Sequence, residues 1–133
     1  MRRIIIECIP HSLQRYDTVG DWRTCQISTL ITADKGDWII TVSEIGTLEM
    51  QLCIAVHELV EMMLCHQKGI TAEQVDKFDK GCNPFLYEPG NSTSAPYYHQ
   101  HQFASGVERL LAAELDVNWL EYERVIAESG VME

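Results

Sequence analysis

The first third of the chain contains short apolar runs of the length typical of β-strands. Residues 4–9 form one such run, and residues 25–32 and 38–42 are β-branched runs of similar length. The segment 33–37 between the last two runs contains the Asp and Gly that hairpin turns favour. We therefore expect three strands, with the last two joined as a hairpin. The mixed pattern of residues 11–23 leaves its structure open, with a short helix as one option.

After residue 47 the apolar positions recur with the period of a helix. Thr47 is placed to cap the first helix, and Lys68 and Gly69 provide a cation and a left-handed stop at its other end. The four expected helices, some counted with their caps, cover residues 48–68, 71–81, 98–115 and 118–129. The irregular segment 82–96 between the second and third helices has a length that is often functional in small domains.

One side of the first helix is expected to pack on the sheet. At about 100° per residue, five apolar side chains fall on that side. They are Leu52, Val56, Leu59, Val60 and Met63. His57 and Glu61 would then lie at the border of this apolar stripe, and Glu58 beyond them.

Composition and charge limit the class of protein. The chain has 133 residues, of which 46% are hydrophobic and 23% charged, so we expect one domain over residues 1–133. Its 20 acidic residues outnumber 10 Lys and Arg. This balance argues against nucleic acid and membrane surfaces as partners, because both are anionic. Five cysteines without paired spacing, and no run long enough for a signal peptide or a membrane span, favour a soluble cytoplasmic protein.

The His-Glu-Leu-Val-Glu run at 57–61 is the strongest chemical signal. His57 and Glu61 are one helical turn apart, so their side chains can converge on one divalent cation. Without a cation, these groups and Glu58 would suffer desolvation and like-charge repulsion among apolar neighbours. The run differs from the zinc-protease signature His-Glu-x-x-His only at the last ligand. By position, His57 is the first metal ligand, Glu61 replaces the second His, and Glu58 is the candidate general base acting on metal-bound water.

A third ligand is expected from the start of the third helix. We favour His101, with His99 as the alternate. Glu108 lies seven residues after His101, on the same helical face, and could orient or assist it. Tyr97 or Tyr98 could donate a hydrogen bond to a developing oxyanion, and the sequence does not select one of them.

Several runs resemble a group of small phage and prophage proteins. They are His-Glu-Leu-Val-Glu at 57–61, Val-Asp-Lys-Phe-Asp at 75–79, Ala-Pro-Tyr at 95–97, the helix from His101 to Glu108-Arg-Leu, and Trp-Leu-Glu-Tyr-Glu at 119–123. The resemblance spans residues 57–123, about half the chain. It implies a minimal zincin-like α+β fold, in which a small N-terminal sheet packs on the motif-bearing helix and further helices follow. It implies a metal site more than a particular reaction.

Two functions fit these residues best. The first is a zinc-dependent hydrolase of peptide or other amide bonds, in which zinc activates its water and Glu58 takes the proton. The second is a catalytically inactive, metal-binding phage accessory factor that binds a host protein, which the missing second His of the motif favours. An all-helical nucleotide pyrophosphohydrolase is disfavoured by the spacing of residues 114–116 and by the β runs. Zinc is the expected ion, with Fe²⁺ or another divalent ion as an alternative, because the same ligands suit iron.

Each of these residues also has an interpretation without a metal. The polar residues of the first helix could form an ordinary ion-paired face, with Arg109 as the counter-charge. Cys53 and Cys65 are twelve residues apart, so helical rotation places them on different sides of the helix. We expect them to be buried free thiols rather than zinc ligands. Asp76 and Asp79 are expected on a solvated face, although lining the cleft or binding the ion is an alternative for both.

Overall fold

The computed structural model describes residues 2–25, 33–82 and 88–131. Within these ranges the chain forms three strands and four α-helices, so the α+β class is confirmed. The strands are β1 (Ile4–Ile9), β2 (Gly20–Thr24) and β3 (Trp38–Ser43), and the helices are α1 (Leu48–Gln67), α2 (Ala72–Lys80), α3 (Tyr98–Glu114) and α4 (Trp119–Val131). Two single 3₁₀ turns lie at His11–Leu13 and Pro89–Asn91.

The sheet is mixed, with β3 in the centre. β1 pairs with β3 in parallel, and β2 pairs with its other edge in the antiparallel direction. The predicted strands at 4–9 and 38–42 are confirmed, whereas β2 lies before the predicted run at 25–32. Residues 26–32 of that run lie outside the described residues. β2 escaped the prediction because Trp22 is its only large apolar side chain, so it forms no apolar run.

Helix α1 packs on the sheet face that carries Trp22, Trp38, Ile40 and Val42. Its other neighbour is α3, with which it makes the most extensive helix–helix contact. The side chain of Thr47 accepts a hydrogen bond from the backbone N–H of Met50, as the predicted cap requires. These contacts fix α1 between the sheet and α3, where its side chains can meet those of both.

The remaining helix boundaries also agree with the prediction. Thr71 and Gln74 form the expected capping box before α2. Gly69 adopts a φ of +74° at the end of α1, a conformation that favours glycine. Before α4, the side chain of Asn118 accepts from the backbone N–H of Glu121 at 3.0 Å. None of the described helices is long and apolar enough to cross a membrane.

The predicted buried stripe of α1 is wrong. Leu52 and Met63 are each 45% exposed, whereas the buried face carries Cys53, Met62 and the whole polar motif. The helix is apolar on nearly every side, so its period could not identify the inner face. The polar residues His57, Glu58 and Glu61 point inward, towards β2 and α3, which places candidate chemistry inside the protein.

Candidate metal centre

Three side-chain atoms from α1 and α3 converge in the protein interior. His57 Nε2 lies 3.1 Å from Glu61 Oε2 and 3.2 Å from His101 Nδ1, and the last two atoms are 2.8 Å apart. All three residues are buried. Ligand atoms at about 2.0–2.1 Å from a tetrahedral zinc ion are separated by about 3.3 Å, so this triangle has nearly the size of a zinc ligand set. The structure therefore brings together the three residues that the sequence singled out, whereas His99 is exposed.

The 3₁₀ turn at Pro89–Asn91 packs closely against the imidazole of His101. A Cβ atom placed on Gly90 would lie 2.3 Å from His101 Cγ and 2.5 Å from its Nδ1. Only a glycine permits this approach without a shift of the turn or of the ring. Asn91 Oδ1 accepts a hydrogen bond from Gln102 Nε2 at 2.8 Å, which ties the turn to α3. The turn therefore fixes the position of the His101 ring.

His57 is oriented by a carboxylate on its far side. Its Nδ1 lies 2.7 Å from Glu108 Oε1, and the other oxygen of Glu108 accepts a hydrogen bond from the Tyr122 hydroxyl. The expectation that Glu108 assists His101 is wrong, because seven residues advance α3 by about 10 Å and bring Glu108 opposite His57 instead. A carboxylate on the outer nitrogen of an imidazole is a common feature of metal-bound histidines, since it fixes the tautomer.

Glu61 is held by a residue that the sequence did not indicate. Its Oε1 accepts a hydrogen bond from Trp22 Nε1 at 3.0 Å, which leaves Oε2 to face both imidazoles. Trp22 lies on β2, the strand that the apolar pattern missed. A lone Trp in an otherwise polar segment was the available signal, because a buried indole usually finds a hydrogen-bond acceptor.

Glu58 lies beside the three converging atoms. Its Oε2 is 3.8 Å from His57 Nε2, and its side chain packs against the backbone of Gly20, where a Cβ would approach to 2.8 Å. Burial, with a further contribution from Glu61, raises the pKa of Glu58 well above its usual range. Glu58 is therefore a buried carboxyl group close to the triangle but outside it.

Hydrogen bonds within the cluster shift the pKa values of His57 and Glu61 in opposite directions. Burial lowers the pKa of His57, but its hydrogen bonds with Glu108 and Glu61 raise it by more, so the net pKa is well above normal. Burial raises the pKa of Glu61, but the hydrogen bonds from His101 and His57 outweigh it and bring it to about 2.

Within residues 2–25, 33–82 and 88–131, no Lys or Arg forms an ion pair with Glu58, Glu61 or Glu108. Arg109 instead lies over the ring of Trp119, at 4.8 Å, so the interpretation in which it neutralises the motif is wrong. In the described part of the chain, the two imidazoles are the only basic side chains that pair with these carboxylates.

A cleft of about 280 Å³ opens beside the cluster. His57, Glu58, Glu61 and His101 contribute to its wall. The other lining residues include Tyr16, Asp21, Trp22, Asp79, Glu88, Gly90 and Tyr97. A small molecule or an extended segment of another chain in this cleft would therefore lie next to the three ligand atoms.

Asp79 belongs to the cleft wall rather than to a solvated face. Its carboxylate accepts hydrogen bonds from the hydroxyls of Tyr16 and Tyr97, and burial raises its pKa to about 6. The expected solvated position is therefore wrong for Asp79, and the alternative that it lines the cleft is right. Asp76 instead forms an ion pair with Arg15 at 2.9 Å.

Two further predictions concern side chains around the site. Tyr97 was a candidate oxyanion donor, but its hydroxyl already donates to Asp79. Tyr98 is half-buried and packs against the core. Cys53 and Cys65 are completely buried free thiols, as expected.

No protein-family model, curated protein or solved structure matches this chain. The resemblance to phage proteins and the zincin-like fold therefore stay hypotheses.

Proposed function

We propose that this protein binds a divalent metal ion, zinc in the first place, and uses it to hydrolyse peptide or other amide bonds in a zincin-like site. The ligands are His57 Nε2, Glu61 Oε2 and His101 Nδ1. The observation that carries the proposal is the triangle of these atoms, with sides of 2.8–3.2 Å, in the protein interior. Two imidazoles and one carboxylate are the protein ligands of many catalytic zinc sites, which keep a further position open.

The surroundings of the triangle also favour a cation. Glu58 and Glu108 add two carboxyl groups within 4 Å of His57. Burying several acidic groups beside two imidazoles is costly unless positive charge compensates them. A divalent ion supplies that charge and replaces the close contacts among the three ligand atoms by metal–ligand bonds. The same donors also suit Fe²⁺, so the ligand set does not distinguish the two ions, and zinc is the first choice.

Zinc in this position supplies a Lewis acid that lowers the pKa of a water molecule and polarises a carbonyl group. Glu58, beside the ligand atoms and in the cleft wall, would accept a proton from water and return it to the leaving amine. A carboxyl group in this position can accept a proton and then release it. The cleft holds the scissile segment of the substrate next to Glu58.

Metal analysis of matched variants tests the proposal. Protein purified without a histidine tag should contain about one equivalent of zinc by elemental mass spectrometry, and His57→Ala should contain none. Glu58→Gln should keep the metal and lose turnover of a peptide library followed by mass spectrometry. His66→Ala is the matched control, because His66 lies on the same helix, is exposed, and contacts Trp38 rather than the cluster. A His57→Ala variant that retains the wild-type metal content contradicts the assignment.

A second candidate function is a metal-binding accessory protein, such as a phage factor that binds a host protein, without catalysis. The observation that favours it is Glu61 in the position where the zinc-protease signature has a His. Full biological activity of Glu58→Gln, together with retained metal, would select this function over hydrolysis.

A further inference from the structure

The imidazole of His101 has one buried nitrogen without a hydrogen bond. His101 is 3% exposed, and its Nδ1 faces Glu61 and His57, but Nε2 has no hydrogen-bond partner within the described part of the chain. An unsatisfied buried polar group lowers the stability of a fold. Such a group inside a candidate site points to an interaction that forms only when the site is occupied.

One carboxylate lies close enough to provide this interaction. Glu88 Oε1 is 3.3 Å from His101 Nε2, although the two groups do not meet hydrogen-bond geometry. Glu88 immediately precedes the Pro89–Asn91 turn, whose Gly90 rests on the same imidazole ring. Its side chain is 60% exposed, so it can rotate without disturbing the core.

Metal binding would give Nε2 a proton that needs an acceptor. When the lone pair of His101 Nδ1 is donated to a metal ion, the neutral imidazole carries its proton on Nε2. His57 shows the same arrangement with its two nitrogens exchanged. Its Nε2 faces the triangle, and its Nδ1 faces the carboxylate of Glu108. His101 lacks only a hydrogen bond of correct geometry to an equivalent carboxylate.

We propose that Glu88 is the positioning residue of His101: it accepts the Nε2–H of the metal-bound imidazole and so fixes the tautomer that presents Nδ1 to the ion. This inference rests on the proposed metal site. It assigns each imidazole its own carboxylate, Glu108 for His57 and Glu88 for His101. It also places a metal-linked hydrogen bond at the wall of the cleft, on the residue next to the turn that holds His101.

Zinc affinity measured by competition with a chromophoric chelator tests the inference. Loss of a carboxylate that orients a metal-bound histidine typically weakens binding 10- to 100-fold, and we expect Glu88→Ala to show a loss of this size. Glu88→Gln should recover part of the affinity, because its amide oxygen still accepts a hydrogen bond. Glu114→Ala removes an exposed carboxylate from the same helix as His101 and should bind zinc like the wild type. Melting curves of the metal-free variants establish that they fold equally.

A spectroscopic signature separates positioning from a general structural effect. In zinc-loaded protein labelled with ¹⁵N, the side chain of His101 should show a protonated Nε2, and the exchange of this proton with water should accelerate in Glu88→Ala. Wild-type zinc affinity in Glu88→Ala overturns the inference, as does an unprotonated Nε2 in the loaded wild type, which would make Glu88 or Nε2 part of the ligand set. If the wild type itself binds no zinc, the proposed function fails as well, so the two failures are distinguishable.

Discussion

The sharpest test of the site uses Gly90, a residue that ligates nothing. Gly90→Ala introduces a single methyl group, whose position follows from the backbone. The new Cβ would lie 2.3 Å from Cγ, 2.5 Å from Nδ1 and 2.7 Å from Cδ2 of His101. Carbon atoms in ordinary contact are about 3.5 Å apart, so the ring or the turn must move by about 1 Å.

A shift of this size is large for a metal ligand. Metal–ligand distances in a well-formed site vary by only about 0.2 Å, so a displaced His101 Nδ1 would not reach the proposed ion together with His57 and Glu61. We expect the zinc affinity of Gly90→Ala to fall by at least about 100-fold, which corresponds to about 2.7 kcal/mol. The fold should persist, because the contact involves a single 3₁₀ turn and one imidazole ring rather than the apolar core.

Gly106→Ala is the matched control for this experiment. Gly106 lies on the same helix as His101, and a Cβ there meets nothing within 4 Å. This control should bind zinc like the wild type and should gain stability, since Ala favours a helix over Gly by up to about 1 kcal/mol. Calorimetric titration of both variants with zinc gives the comparison. Equal affinity in the two variants would show that the position of His101 does not determine metal binding, and the ligand assignment would have to be abandoned.

Two other variants probe the surroundings of the site. Trp22→Phe leaves Glu61 Oε1 without its buried donor, so the free energy of unfolding in urea should fall by about 1.5–3 kcal/mol. The matched control is Trp38→Phe, whose loss should be smaller because the Trp38 indole contacts His66 rather than a carboxylate. A smaller loss than in this control would remove the role assigned to the Trp22 hydrogen bond. Burial raises the pKa of Asp79 from 3.8 to about 6, so the folded protein binds this proton more tightly than the unfolded chain does. The free energy of unfolding should therefore decrease as pH rises from about 4 to 6, and this group contributes at most about 3 kcal/mol to the decrease. Asp79→Asn should flatten this part of the urea-derived pH profile, and an unchanged slope would contradict the assigned pKa.

Local signals predicted most of the helical structure. The caps at Thr47, Thr71 and Asn118 act within a few residues, so the sequence alone locates the starts of α1, α2 and α4. Strand β2 was missed because its stability comes from pairing with β3 and from one buried indole, and neither leaves an apolar run in the sequence. Pairing between distant segments is a property of the fold and is not encoded in any short window.

The candidate site was likewise predictable only in part. His57 and Glu61 could be paired from their spacing, because four residues of helix bring two side chains together wherever the helix lies. The partner of Glu108 could not be predicted, since it depends on how α3 packs along α1. Trp22 lies on a strand and Glu88 just before a turn, so their partners Glu61 and His101 follow only from the assembled fold.

The acidic residue in the altered motif has a consequence for the chemistry of a bound ion. If Glu61 is the only anionic ligand beside two neutral imidazoles, a divalent ion would keep a net charge of about +1, the same as in a site whose carboxylate comes from elsewhere. Exchanging His for Glu inside the motif is therefore neutral in charge, provided that α3 returns an imidazole, and His101 is placed to do so. In such a site, the hydrogen bond from Trp22 would withdraw electron density from Glu61 and so preserve the Lewis acidity of the ion. Glu58 stays outside the triangle, so in the proposed mechanism it would serve as the base rather than as a ligand.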